Sequence, residues 1–343
     1  MTTWPAWNPR ATAVALAAMT GISACNDTAA PTEETFSMRS WTTVTVGVAD
    51  LDAALELWVD TFGFEVMASS EGPDAELARL WDLEPEDIAR QTIVHTPGET
   101  HGMIHLVQFN EPGAPVRQGA EVFDLVPKNL DIHARDLPTR FAELKAAGRV
   151  FRSETYSEVT APNGAVFREI HMPSHDDINV VLLEVIGEEH PFTPQGFAGV
   201  GPVITIVPDA TEEQQFYQEI LGLAMLSDNI LKGPEIERMV GLPAGAYLDV
   251  SVLGQESEHF GRIEIVDYQG VEGRNLFPNA KPKALGTLHV SYQLPNLEPL
   301  QARLAEAGIE YTNHGVIETP LGSGEVISFH SPAGLRIEAH ERR

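Results

Sequence analysis

The sequence predicts an α+β protein made of four βαβββ modules, on three grounds: an internal repeat, a recurring helix punctuation, and strand alternation inside each repeat. Thr43–Ser69 aligns without a gap at an offset of 159 with the segment beginning PVITIV at Pro202, so Asp50 meets Asp209 and Gly63 meets Gly222. The register holds as Glu76 meets Glu235, Arg79 meets Arg238, Leu83 meets Leu242 and Gly102 meets Gly261. A second pair of segments, Asn129–Gly148 and His289–Gly308, matches at an offset of 160. Each half of each copy therefore reads as one unit.

Within a unit the elements follow in order. An alternating apolar strand ends in Asp50, Asp136, Asp209 or Asn296, short polar residues suited to cap the helix that follows. That helix is amphipathic and stops at glycine, as in Phe62-Gly63 and Leu221-Gly222. Strands come next: in the first unit Glu65–Ser69, Arg90–His95 and Met103–Phe109, with counterparts in the others. Consecutive units are expected to pair, giving one domain over 39–187, a Pro- and Gly-rich linker over 188–198 and a second domain over 199–343.

The leading segment reads differently. Ala11–Ser23 is a short apolar run after Arg10, too brief to span a bilayer and of the length of a signal-peptide core. It ends at Ile22-Ser23-Ala24-Cys25, which resembles a bacterial lipobox, followed by a small polar tether. This predicts a signal peptide over 1–24, lipidation of Cys25, a linker over 25–38 and an exported protein anchored to a bacterial membrane through lipid alone. Translation from Met38 is the competing reading and predicts a cytoplasmic protein. Cys25 is the only cysteine, so neither an intramolecular disulfide nor a cysteine-based zinc site can form.

Fifty acidic against 22 basic residues give a formal charge of -28, which repels nucleic-acid phosphates and disfavours that class of partner. No Gly-rich phosphate loop, nucleophile elbow or Cys–His pair appears. A small-molecule substrate or ligand remains as the expected partner.

The unit, with aromatics such as Phe216-Tyr217 before the helix-ending Leu221-Gly222, resembles the modules of the vicinal-oxygen-chelate superfamily of glyoxalase I, extradiol dioxygenases and bleomycin-resistance proteins. The resemblance covers almost everything from Met38 onward and implies two paired-module domains, each with a cupped sheet. It also implies a metal held by four inward positions, on the first and last strand of each module. Those positions fall at Thr43, His105, Asn129 and Glu184 in the first copy, and at Pro202, Glu264, His289 and Glu338 in the second.

The second copy thus offers Glu264, His289 and Glu338 as ligands of a divalent ion such as Zn, Mn, Fe, Co or Ni, with Glu264 or Glu338 as the catalytic base. Pro202 carries no donor, so the four-ligand glyoxalase set is incomplete and the two-His, one-Glu dioxygenase set is missing. Thr43 and Asn129 make the first copy the weaker one, with His133 on the same strand face as a substitute ligand. His340, two residues after Glu338, is placed in the outer shell, and His171 and His330 fall before Pro-containing turns.

Three activities stay open. The first is a glyoxalase-like metal-dependent lyase or isomerase acting on a small carbonyl or vicinal-oxygen compound. The second is a non-catalytic, resistance-type small-molecule binder, and the third an extradiol-type dioxygenase. Superfamily resemblance does not choose among them, because fold and function separate.

Overall fold

The computed structural model describes residues 36–342 apart from position 163; the signal-peptide segment, Cys25 and most of the 25–38 linker lie outside the described residues. Phe36 onward forms one compact unit. The predicted modules are present, in order. Module 1 comprises β1 (Thr43–Val48), α1 (Leu51–Leu55), β2 (Glu65–Glu71), α2 (Ala75–Trp81), β3 (Ile88–His95) and β4 (Met103–Phe109). Module 2 comprises β5 (Pro127–Ala134), α3 (Leu137–Ala146), β6 (Ser157–Thr160), β7 (Val166–Pro173) and β8 (Asn179–Val185). Module 3 comprises β9 (Phe197–Ile206), α4 (Ala210–Gln215), β10 (Ala224–Leu231), α5 (Pro234–Val240), β11 (Tyr247–Gly254) and β12 (Arg262–Gln269). Module 4 comprises β13 (Gly286–Leu294), α6 (Glu298–Glu306), β14 (Thr312–Thr319), β15 (Gly322–His330) and β16 (Arg336–Glu341).

The expected punctuation holds at most module starts. The Asp50 carboxylate accepts from the backbone N–H groups of Asp52 and Ala53, and Asp209 does the same for Thr211 and Glu212. Asn296 accepts from Glu298 N at 2.9 Å. Asp136 departs from the pattern: it takes a left-handed conformation and makes no side-chain cap to the backbone of α3. Pro138 removes one of the two N–H groups that such a cap would bind, and the other, Thr139 N–H, donates to the Asp136 carbonyl instead. Gly63 and Gly222 both have positive φ, the left-handed conformation with which the chain leaves these helices.

Module pairing differs from the expectation. One eight-stranded sheet runs β14-β15-β16-β13-β1-β4-β3-β2 and the other β10-β11-β12-β9-β5-β8-β7-β6. Modules 1 and 4 therefore build the first sheet, and modules 2 and 3 the second. In both, the modules meet through antiparallel first strands, β1 with β13 and β5 with β9. Pairing of consecutive modules is thereby corrected. A repeat offset fixes what the units are but leaves open which first strands share a ladder, because any two exposed first-strand edges can satisfy each other's N–H and C=O groups.

Strand alternation sorts side chains between two environments. Val44, Val46, Leu130, Ile132, Val203, Ile263, Val290 and Ile337 enter one buried cluster that draws on both sheets and on the helices. The intervening residues of the same strands face the cavity sides. There α2 lays Leu77, Leu80 and Trp81 over the first sheet, and α5 lays Ile236, Met239 and Val240 over the second. The first cavity is small, about 40 Å³, and the second about 440 Å³.

Candidate functional sites in the two sheets

The strand order redistributes the expected ligand positions. His105, His289 and Glu338 share the first sheet together with Thr43, whereas Glu264 stands in the second sheet with Asn129 and Pro202. The expected trio of Glu264, His289 and Glu338 is therefore not assembled on one sheet, and of the two expected bases, Glu264 and Glu338, only Glu338 stands on the sheet of His289. Two histidines and a glutamate, His105, His289 and Glu338, missing as a set from either copy by itself, are instead brought to one sheet by the pairing of modules 1 and 4. Chain order groups these residues one way, and the ladder between β1 and β13 groups them another.

In the first sheet, Thr45 on β1 is flanked by His105 on β4 and His289 on β13. Ser291, two residues on from His289, pairs with Glu338, and Gln293 with His340. Glu338 is 2% exposed and His289 1% exposed, burial at which an ionised or polar side chain requires a partner. Glu338 Oε1 accepts from Trp81 Nε1 at 2.9 Å and from Arg336 Nε and Nη2 at 3.1 and 3.0 Å. Its other oxygen, Oε2, stands 3.4 Å from His289 Nε2 and 3.4 Å from His340 Nε2.

Neither approach has hydrogen-bond geometry. Both ring nitrogens of His289 and the Nε2 of His340 are buried without a hydrogen-bond partner. Burial opposes the charge of Glu338, but His289, His340 and the Arg336 guanidinium outweigh it and hold the carboxyl well below its usual range.

His105 forms the opposite wall. Gln91 Nε2 donates to Asp74 Oδ2 at 2.6 Å, which orients the amide so that Gln91 Oε1 accepts from His105 Nε2 at 2.7 Å. The imidazole thus carries its proton on Nε2 and its lone pair on Nδ1. Burial, reinforced by the nearby His289, pushes its pKa down to about 3, so it is neutral at physiological pH. Trp81 covers the cavity, its ring centroid 5.4 Å from that of His289 and 6.2 Å from that of His105. The turn at Thr319–Leu321 closes another side. Trp81 escaped sequence reasoning, although the repeat held a signal: its counterpart in module 3 is Val240, the kind of difference that separates two otherwise similar lids.

The donor chemistry suits a divalent ion. Bonds of roughly 2.1 Å in a tetrahedral arrangement space neighbouring donors about 3.4 Å apart, which matches both approaches to Glu338 Oε2. Among the described residues, no group of three or more His, Cys, Asp or Glu side chains is placed so as to hold a metal ion. His289 and His340 thus approach one oxygen of Glu338 from two sides without closing a cage around an ion.

The second sheet lacks this arrangement. Glu264 lines its cavity with Asn129, Asp131, His133, Glu169 and His171. Burial, together with Glu169, pushes the Glu264 pKa up to about 8. Glu184 is on the other face of β8: Leu183 and Val185 line the cavity, while Glu184 Oε2 accepts from Leu137 N and Arg168 Nη1. A one-residue shift in strand phase moves a side chain across the sheet, which the expectation of Glu184 as a ligand missed. His171 bonds Glu169 and Asn179, and His330 is an exposed strand end, so neither joins the first site.

No family model and no curated protein matches the sequence. Solved structures match its shape. A single-residue mutant of glyoxalase I from Zea mays superposes with a TM-score of 0.59 at 16% identity, covering 88% of this chain and 92% of that one. Another structure of Zea mays glyoxalase I gives 0.58 at 14% identity, covering 88% and 92%. A putative dioxygenase from Bacillus subtilis gives 0.59 at 13% identity, covering 89% and 86%. At these identities the likeness shows the fold, which is the four-module vicinal-oxygen-chelate arrangement.

Proposed function

We propose that the first sheet holds a divalent metal on His289, Glu338 and His340, and that the protein is a metal-dependent lyase or isomerase acting on a small carbonyl or vicinal-oxygen compound. The carrying observation is that two buried imidazole nitrogens, with no hydrogen bond among the described residues, both stand 3.4 Å from one carboxylate oxygen. Imidazole and carboxylate donors suit Zn, Mn, Fe, Co or Ni. A bound ion would supply Lewis acidity, stabilising charge that develops on an oxygen beside it.

The chain's own residues supply the rest. Arg336 and Trp81 fix Glu338 Oε1 and so aim Oε2 at the imidazoles. His105, neutral and held through Nε2 by Gln91, lines the opposite wall as an uncharged group. Trp81 and the Thr319–Leu321 turn line and narrow the cavity. With only about 40 Å³ free, a substrate must be small or must displace this cover.

One observation favours a second reading for part of the molecule: the 440 Å³ cavity of the second sheet has the size of a ligand pocket, as a binding domain would. Metal analysis of protein purified without added ions tests the first reading. About one equivalent of transition metal per chain, with turnover of a 2-oxoaldehyde adduct or related carbonyl compound, supports it. A metal-free protein that stays inactive after metal addition overturns it, and oxygen uptake with a catechol would move the assignment to the dioxygenase class.

A further inference from the structure

At the mouth of the second cavity, nitrogens of His133, His190 and Arg262 are buried with no hydrogen bond among the described residues, although Arg262 Nη2 donates to Glu258 O at 2.9 Å. Both ring nitrogens of His133 and of His190 are buried without a hydrogen-bond partner, and so is Nε of Arg262. The two imidazoles lie against one another with centroids 3.9 Å apart, and His259 is 5.5 Å from His190. His133 and Arg262 both line the cavity. The His133 ring rests on the bare backbone of Gly201, where a Cβ would come within 2.5 Å of Nε2.

A neutral imidazole keeps one N–H, and a guanidinium Nε only donates. The cluster therefore holds at least three donors needing an acceptor. A metal ion would use the imidazole lone pairs but leave the Arg262 N–H facing a cation. An anion accepts from all three, and carboxylates are well suited to guanidinium.

We propose that this mouth binds the carboxylate of an amphipathic small molecule whose apolar body fills the cavity. Leu183, Val185, Ile204, Met239 and Val250 supply the apolar wall. The acidic groups nearby are compatible with that occupant. Glu188 at the rim is half exposed, with its Oε2 3.4 Å from His190 Nε2, so it is the carboxylate a ligand carboxylate would replace; Glu256 also lines the cavity. Glu169 accepts from His171. Burial and the neighbouring Glu169 push the Glu264 pKa up to about 8, so it is mostly protonated near neutral pH, and burial with Glu264 and Glu169 raises Asp131 in the same direction. Lys128, whose Nζ donates to the hydroxyl of the cavity-lining Tyr268, lies behind the wall.

The site is independent of the metal proposed in the first sheet. The full chain, treated with chelator, is titrated calorimetrically with naphthalene-2-carboxylate, naphthalene-2-methanol and 2-naphthylmethylammonium. The carboxylate is expected to bind at least ten-fold tighter than the alcohol. Arg262→Met and His190→Ala should each remove that preference while the alcohol still binds, which shows the cavity intact. Equal binding of the three, preference for the ammonium, no binding of any, or a preference surviving both variants overturns the proposal. Zinc binding that disappears in His190→Ala, without carboxylate binding, would show a metal centre instead.

Discussion

His289 Nε2 and Glu338 Oε2 approach to 3.4 Å across neighbouring parallel strands, both buried, with no hydrogen bond between them. A pair so placed has a reason to exist if a third body joins it. Replacing Glu338 with Gln keeps the shape and removes the anionic donor, and we expect metal content measured after dialysis to fall at least ten-fold. Glu184→Gln, on the opposite face of its sheet, should leave metal content unchanged. Equal metal retention by both variants would dissociate the carboxylate from any ion.

Trp81 ties the lid to the site through its Nε1 donation to Glu338 Oε1. Trp81→Phe retains an aromatic cover but loses that bond to a charged acceptor, which costs roughly 1–3 kcal/mol. Urea unfolding should show a loss of this size, and a chelator should strip metal faster than from the parent protein. Unchanged stripping kinetics would mean that Trp81 packs over the site without gating it.

Glu213 on α4 gives a pH signature distinct from the site. It is 1% exposed, and burial raises its pKa to about 7, against hydrogen bonds from Ser331 and from Ala333 N that favour the charged form. A carboxyl whose folded pKa lies above its unfolded value binds more protons folded than unfolded between those two values, so stability falls as pH rises through that window. From an ordinary value of 4.5 to about 7, the loss is on the order of 3 kcal/mol, complete above pH 7. Glu213→Gln should flatten this decline; a parent protein equally stable at pH 5 and pH 8, with other groups matched by the variant, would contradict it.

Much of this was legible in the sequence because repeats and caps are local. Asp50, Asp209, Gly63 and Gly222 announce helix starts and stops through backbone chemistry within a few residues. His289, His105 and Glu338 fall at the expected strand positions, yet their grouping depends on the β1–β13 ladder, a pairing across more than half the chain that no local signal carries. Glu184 fails for a different reason: in a strand a phase error of one residue reverses the face. His340 is expected in the outer shell, but its Nε2 stands as close to Glu338 Oε2 as that of His289, a relation visible only once side chains are placed.

The interleaved pairing makes the strongest test of the fold. Each sheet takes one module from either half of the chain, so cutting between modules 2 and 3 leaves every module without its antiparallel first-strand partner. A fragment ending at Gly187 would expose the edges of β1 and β5, and a fragment starting at Glu188 those of β9 and β13, together with half of the shared apolar cluster. Expressed alone, neither fragment should give a cooperatively unfolding monomer. Mixed, they should form a stable one-to-one complex with the thermal transition of a folded domain, because all four modules then find their partners. If either fragment folds by itself as a monomer, its two consecutive modules pair with each other, and the order β16-β13-β1-β4 cannot be the arrangement in solution.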